Sequence, residues 1–198
     1  MQHDASGRKG DTGRLIFLLG PSGAGKDSLI DAARPQLLAA GVQIARRVIT
    51  RSAEAKGEAA EGVSTERFRQ LREQGAFAMH WHANGLDYGI AVQVDTWLAE
   101  GHSVLVNGSR AYLPQALQRY PDLLAVALQV SPTVLRQRLL ARGRETSEQI
   151  DQRLARNDQL QTPQAPPGVV RPLDNSGQLA DTVTRFIALL RQEKLITP

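Results

Sequence analysis

The sequence predicts an α/β fold, a central parallel sheet flanked by helices. Three observations predict it. The apolar run Leu15–Leu19 leads into Gly20-Pro21-Ser22-Gly23-Ala24-Gly25-Lys26-Asp27-Ser28, which opens into the helix-like Leu29-Ile30-Asp31-Ala32-Ala33. Short β-branched or apolar runs then alternate with helical patterns along the chain, as strand–helix–strand units do. Ser103–Asn107 is a brief apolar run of the kind that suits a parallel strand buried on both faces.

The elements follow in order. Arg14–Leu19 is the first strand. Lys26 to about Ala40 is the first helix, closed by Gly41, with Pro35 expected to kink or shorten it. Val42–Thr50, rich in β-branched residues, reads as the second strand. Arg51–Gly62 is polar and carries two glycines, and reads as a mobile substrate loop. Ser64 caps a helix to about Gln74, with Gly75 after it. Phe77–His82 and Leu86–Ile90 flank Ala83-Asn84-Gly85, an Asn-Gly hairpin signal. Gln93–Glu100 is a short helix ended by Gly101. Ser103–Asn107 is a strand, Tyr112–Tyr120 a helix and Leu123–Val130 a strand. Pro132 starts a helix to Arg142, since proline suits the first turn. Ser147 caps the next, to about Leu160. Thr162–Gly168 holds three prolines and is loop. Val169–Asn175 is the last strand, and Leu179–Lys194 an amphipathic helix whose leucines, like Trp97, are core. Met1–Gly13 is polar and reads as a flexible tail. The remainder reads as one domain, with Arg51–Ile90 as a small substrate-binding lobe.

Composition narrows the function. Hydrophobic residues make up 41% of the chain, as in an ordinary globular protein, and no apolar stretch is long enough to span a bilayer. There is no cysteine, which excludes disulfides, thiolate metal sites and a cysteine nucleophile and is compatible with the expected cytoplasmic location. The net charge of +4 is carried mostly by dispersed arginines. With aromatics at 5% and no basic run, small polyanions are favoured over nucleic acid.

Strand, glycine-rich turn and helix together make Gly20–Lys26 a phosphate-binding loop. Backbone N–H groups and the helix N-terminus meet phosphate oxygens, and Lys26 reaches the outer phosphates. Such loops normally continue Lys-Ser/Thr, with the hydroxyl on Mg²⁺. Here Asp27 takes that place and Ser28 comes one residue later. In a parallel sheet, ligands bind beyond the carboxyl ends of the strands. That rim would hold Gly20–Asp27, Arg51, Asn107–Arg110 and Asn175.

The order of motifs resembles the guanylate kinase superfamily of P-loop kinases. Gly20-Pro21-Ser22-Gly23-x-Gly25-Lys26 resembles its phosphate loop, Ile49-Thr50-Arg51 its Thr-Thr-Arg, Gly57-Glu58 its Gly-Glu and Asp87-Tyr88-Gly89 its Tyr-Tyr-Gly. Arg138-Leu139-x-x-Arg142-Gly143 with Ile150-x-x-Arg153-Leu154 resembles its arginine-bearing lid, about 138–156, and Asp174-Asn175 resembles the late Asn near adenine. Departures fall on the guanine half. Glu54 stands where a second arginine belongs, Tyr-x-Phe is missing around Gly62–Thr65, Ile90 replaces a threonine, and Asn107 replaces the strand-end aspartate. Gly25–Ser28, Arg47–Arg51, Leu86–Ile90 and Val106–Arg110 are closer to the ribose 1,5-bisphosphate phosphokinase family of bacterial phosphonate breakdown. That resemblance implies transfer of the ATP γ-phosphate to ribose 1,5-bisphosphate, giving 5-phosphoribosyl 1-diphosphate (PRPP). A guanylate kinase is the alternative.

The resemblance implies roles residue by residue. Gly20–Ser28 and Asn175 would hold ATP. Lys26 with Arg138, Arg142 and Arg153 would act on the transferring group, and Arg144 would be accessory. Arg47, Arg51, Tyr88, Asn107 and Arg110 would meet the acceptor. Arg46 alternates with Arg47, so only one faces the site. Mg²⁺ takes few protein oxygens, and the carboxylate has moved from the strand end to Asp27, so Asp27 is the expected metal contact. The alternative is that Asp27 only caps the helix while Ser28 acts in its stead. His80 and His82 are expected in core packing or acceptor contacts rather than in a zinc site. A phosphorylated sugar is the expected partner, with no nucleic acid and no membrane, and a homo-oligomer is left open.

Overall fold

The computed structural model describes residues 13–51, 60–143, 145–159 and 165–196. Its core is a five-stranded parallel sheet in the order β2-β7-β1-β8-β9. The strands are β1 (Leu15–Leu19), β2 (Gln43–Ile44), β7 (Val104–Asn107), β8 (Leu124–Gln129) and β9 (Val170–Asp174). Alternation along β1 builds two cores. Ile16 and Leu18 face α1 (Lys26–Ala39) and α7 (Leu179–Gln192), through Leu29, Leu37, Phe186 and Leu190. Leu15, Phe17 and Leu19 face the other way. They meet Val94 of α3 (Gln93–Ala99), Leu113 of α4 (Leu113–Arg119) and Met79 and Ile90 of a second sheet.

That second sheet has four strands in the order β4-β3-β6-β5. They are β3 (Arg47–Thr50), β4 (Ala60–Val63), β5 (Phe77–Ala83) and β6 (Leu86–Ala91), with α2 (Thr65–Glu73) between β4 and β5. The expected single strand over Val42–Thr50 is therefore two. Gln43–Ile44 pairs with β7, and Arg47–Thr50 pairs antiparallel with β6. The strand β4 was not expected, because Ala60-Glu61-Gly62-Val63 has little β-propensity; parallel pairing with β3 imposes it. Asn84 and Gly85, both at positive φ, make the hairpin turn that the Asn-Gly pair predicts.

Helix ends follow side-chain chemistry. The Ser64 hydroxyl accepts from the Arg67 N–H, a cap contributing about 1 kcal/mol. Pro35 lies inside α1 without ending it. For α6 (Ser147–Gln159) the cap is Thr146, one residue before the expected Ser147. The Gln149 N–H donates to the Thr146 hydroxyl, and the Thr146 N–H donates to the Gln149 side chain, a reciprocal box. The preceding α5 (Pro132–Arg142) is capped by Ser131 and packs on α6 through Leu135, Leu139 and Ile150. The tail, Glu54, Gly57-Glu58 and Arg144 lie outside the described residues, apart from Gly13 at the tail's end. No helix among the described residues is long and apolar enough to cross a membrane.

Candidate active site

Parallel strands bring their carboxyl ends to one rim, and the loops that leave them enclose a cleft of about 890 Å³. One wall is the phosphate loop. Gly25 ends it at φ 89°, a left-handed conformation, and a Cβ there would come within 2.8 Å of Asn175 Nδ2. Lys26 Nζ donates to the carbonyls of Gly20 (2.9 Å) and Pro21 (3.2 Å), so the ammonium lies over the loop. Asn175 is 2% exposed and sits behind the loop, its Nδ2 donating to the Ala24 carbonyl at 2.7 Å. Ser176 holds the neighbouring Asp174: its hydroxyl donates to the carboxylate at 2.6 Å, keeping that acid below the usual carboxylate range.

A second wall comes from the turn after β7 and from the smaller sheet. Gly108 has to be glycine because the Phe17 ring lies 2.2 Å from where its Cβ would stand. This close passage turns the chain so that Ser109 and Arg110 enter the cleft. Arg110 is half-buried, and loss of water lowers its pKa. Arg47 is 8% exposed and lies over the Tyr88 ring, 5.8 Å from its centroid. Tyr88 stacks on Trp81 at 5.6 Å, and Trp81 leans on Tyr112 at 5.4 Å. A stack from a cation through three aromatic rings thus stiffens this wall, the cation–π step contributing about 0.5–2 kcal/mol. As the alternation required, Arg46 turns away, its Nη2 donating to the Ala60 carbonyl.

The third wall is the α5–α6 pair. Arg138 donates to the Asn175 carbonyl (2.8 Å) and the Ala24 carbonyl (3.4 Å), lying along the loop. Arg153 donates to the Ser22 hydroxyl at 3.2 Å and pairs with Glu145 at 2.6 Å. Arg142 stands exposed on the rim.

The two walls meet at Asp27. Its Oδ1 accepts from Arg47 Nη2 (2.9 Å) and from Asn107 Nδ2 (2.7 Å). Oδ1 is therefore taken by side chains from other elements rather than by a backbone N–H of α1, whose N-cap is Gly25. Among the described residues, the cleft is lined by Lys26, Arg47, Arg110, Arg138, Arg142 and Arg153 against the carboxylate of Asp27.

Most of the residues expected at the site are gathered here, with exceptions. Arg51 does not line the cleft, its N–H bonded to the Ile49 carbonyl at the end of β3. Asn107 is 4% exposed and points its amide at Asp27. Ile90 is fully buried in the core. His80 and His82 are exposed, because strand alternation turns Trp81 into the cleft instead; His82 Nδ1 pairs with Asp87. Trp81 and Glu145 were not singled out, whereas Ser109 falls within the Asn107–Arg110 stretch expected on the rim. The alternation around His80 and His82 could have flagged Trp81, but nothing local marks Glu145. Among the described residues no group of three or more His, Asp or Glu could hold a metal. One carboxylate in a cation-lined cleft fits an ion that keeps most of its waters, as Mg²⁺ does.

No protein-family model matches the chain. The ribose 1,5-bisphosphate phosphokinase PhnN of Pseudomonas paraeruginosa is 61% identical over 179 residues, 90% of this chain and 96% of that protein. The protein of the same name from Azotobacter vinelandii is 58% identical over 180 residues, 91% of this chain and 97% of its own. The one from Thiobacillus denitrificans is 44% identical over 179 residues, 90% of this chain and 93% of its own. Among solved structures, guanylate kinase from Anaplasma phagocytophilum superposes with a TM-score of 0.65 at 18% identity, covering 94% of this chain and 89% of that one. That likeness establishes a guanylate kinase-like fold.

Proposed function

The chain belongs to the ribose 1,5-bisphosphate phosphokinase family, and from that premise we propose how its cleft transfers the γ-phosphoryl group of ATP to ribose 1,5-bisphosphate. The observation that supports this reading is the excess of cations that line the cleft among the described residues, six against the one carboxylate of Asp27. Each phosphate monoester brings about −1.5 to −2 charges at pH 7. A donor triphosphate and a bisphosphate acceptor need that excess before they can approach each other.

The nucleophile is an oxygen of the acceptor's 1-phosphate, already ionised near neutral pH. It attacks the γ-phosphorus, the bond from that phosphorus to the β–γ bridging oxygen breaks, and ADP leaves with the bridging oxygen. No proton has to be removed, so no general base is needed, and positioning with charge neutralisation is the task. The loop N–H groups and Lys26 take the β- and γ-phosphates. Arg138 and Arg153, held on the loop, and Arg142 on the rim face the transferring group. Arg47, Tyr88 and Arg110 hold the acceptor. Mg²⁺, when bound, neutralises phosphate charge, with Asp27 as its protein carboxylate, directly or through water. The smaller sheet, with residues 51–90, serves as the acceptor lobe, and α5 with α6 as the lid. The enzyme works in the cytoplasm on a small sugar phosphate.

The test is to offer ATP and Mg²⁺ with ribose 1,5-bisphosphate, and separately with GMP, and to identify products by phosphorus NMR. PRPP and ADP are expected; GDP from GMP with no PRPP would sink the reading. Arg110→Ala should raise the acceptor KM roughly tenfold to a hundredfold, the loss of one charge-assisted hydrogen bond. The KM for ATP should stay in place. An equal rise in both would move Arg110 to the ATP side.

A further inference from the structure

Asn107 places an amide where a polar group is least welcome. It ends β7, is 4% exposed, and its Oδ1 has no hydrogen-bond partner among the described residues. An aliphatic side chain would avoid stripping water from that carbonyl. What the amide supplies in return is the 2.7 Å donation to Asp27 Oδ1. The same oxygen takes the Arg47 N–H at 2.9 Å. Two donors fill the two lone-pair directions of Oδ1, leaving Oδ2 as the oxygen that Asp27 can offer to a ligand. An aspartate at 107 would instead set two carboxylates against each other at hydrogen-bonding distance.

We infer that Asn107 is a positioning residue. With Arg47 it clamps Oδ1, so that Asp27 presents a single oxygen to a divalent cation. This rests on the reading of Asp27 as the Mg²⁺ carboxylate, in its direct form. A one-oxygen ligand suits the octahedral shell of Mg²⁺, whereas Ca²⁺ readily takes both oxygens of a carboxylate. The clamp is therefore a device of metal selectivity as well as of affinity, and Asn107 acts through Asp27 without touching the acceptor.

The test uses the full chain with ADP, reading bound Mn²⁺ by electron paramagnetic resonance and its displacement by Ca²⁺. Asn107→Leu should weaken Mn²⁺ binding roughly tenfold or more, as loss of a group that orients a metal ligand does. It should also narrow the preference for Mn²⁺ over Ca²⁺, and leave metal-free ADP affinity unchanged. A purely structural role would not move that preference. Asn107→Ser, too short to span to Oδ1, repeats the test without leucine's bulk and decides it if the leucine variant does not fold. Asp27→Asn separates the two claims. If it binds Mn²⁺ like the unmodified chain, the reading of Asp27 fails and the clamp with it. If Asp27→Asn is weakened while a folded position-107 variant keeps the original affinity and preference, the clamp alone fails.

Discussion

Arg138→Ala should lower kcat by about a thousandfold or more, the scale on which an arginine facing a transferring phosphoryl group acts. The expectation comes from where Arg138 is held. Its Nη2 donates to the Asn175 carbonyl at 2.8 Å and its Nη1 to the Ala24 carbonyl at 3.4 Å. The guanidinium is thus placed along the loop before any substrate arrives, so little entropy remains to be lost when charge develops on the phosphoryl oxygens. Arg138→Lys should recover little of the loss, because an ammonium cannot make the two-armed contact. Single-turnover kinetics with saturating ATP isolates the chemical step. A loss confined to the KM for ATP would make Arg138 a binding residue only. Arg142→Ala, on the exposed rim, should cost less than Arg138→Ala, and the reverse ranking would move the main role to Arg142.

Lys26→Met should lower kcat by about a hundredfold to a thousandfold, comparable with removing one preorganised donor from a charge-stabilising site. Methionine keeps most of the apolar stem and removes the charge. In the structure the ammonium rests on the Gly20 and Pro21 carbonyls, on the side of the loop that opens into the cleft. On the proposed reading, a short swing from there would bring it to the outer phosphates. Titration calorimetry with ADP and with a non-hydrolysable ATP analogue checks this. Analogue binding should suffer more than ADP binding, since the γ-phosphate is the group that needs the extra charge. Equal weakening of both would place Lys26 on the inner phosphates.

Local elements were the most legible. The strand entering Gly20–Lys26, the Ser64 cap and the Asn84-Gly85 hairpin each depend on residues a few places apart, and each stands where the sequence predicts it. Errors came where a distant partner decides. Val42–Thr50 has one continuous β-pattern, yet its two halves pair with different sheets. Ala60–Val63 has no strand signal and becomes one beside β3.

The candidate site divides the same way. Neighbouring residues suffice to mark a phosphate-binding loop in an α/β frame: the glycine spacing, the apolar strand before it and the helix after it are all local. The sequence also marked Asp27 and Asn107 as departures in opposite senses. What those departures do to each other depends on the fold. Asp27 and Asn107 lie 80 residues apart in the chain, and Asn175 and Ala24 lie 151 apart. Such contacts arise because parallel strands bring their ends to one rim, and no local pattern records which side chains will then meet. Asp27, a misfit in a phosphate loop when read along the chain, is in the fold the carboxylate on which Arg47 and Asn107 converge.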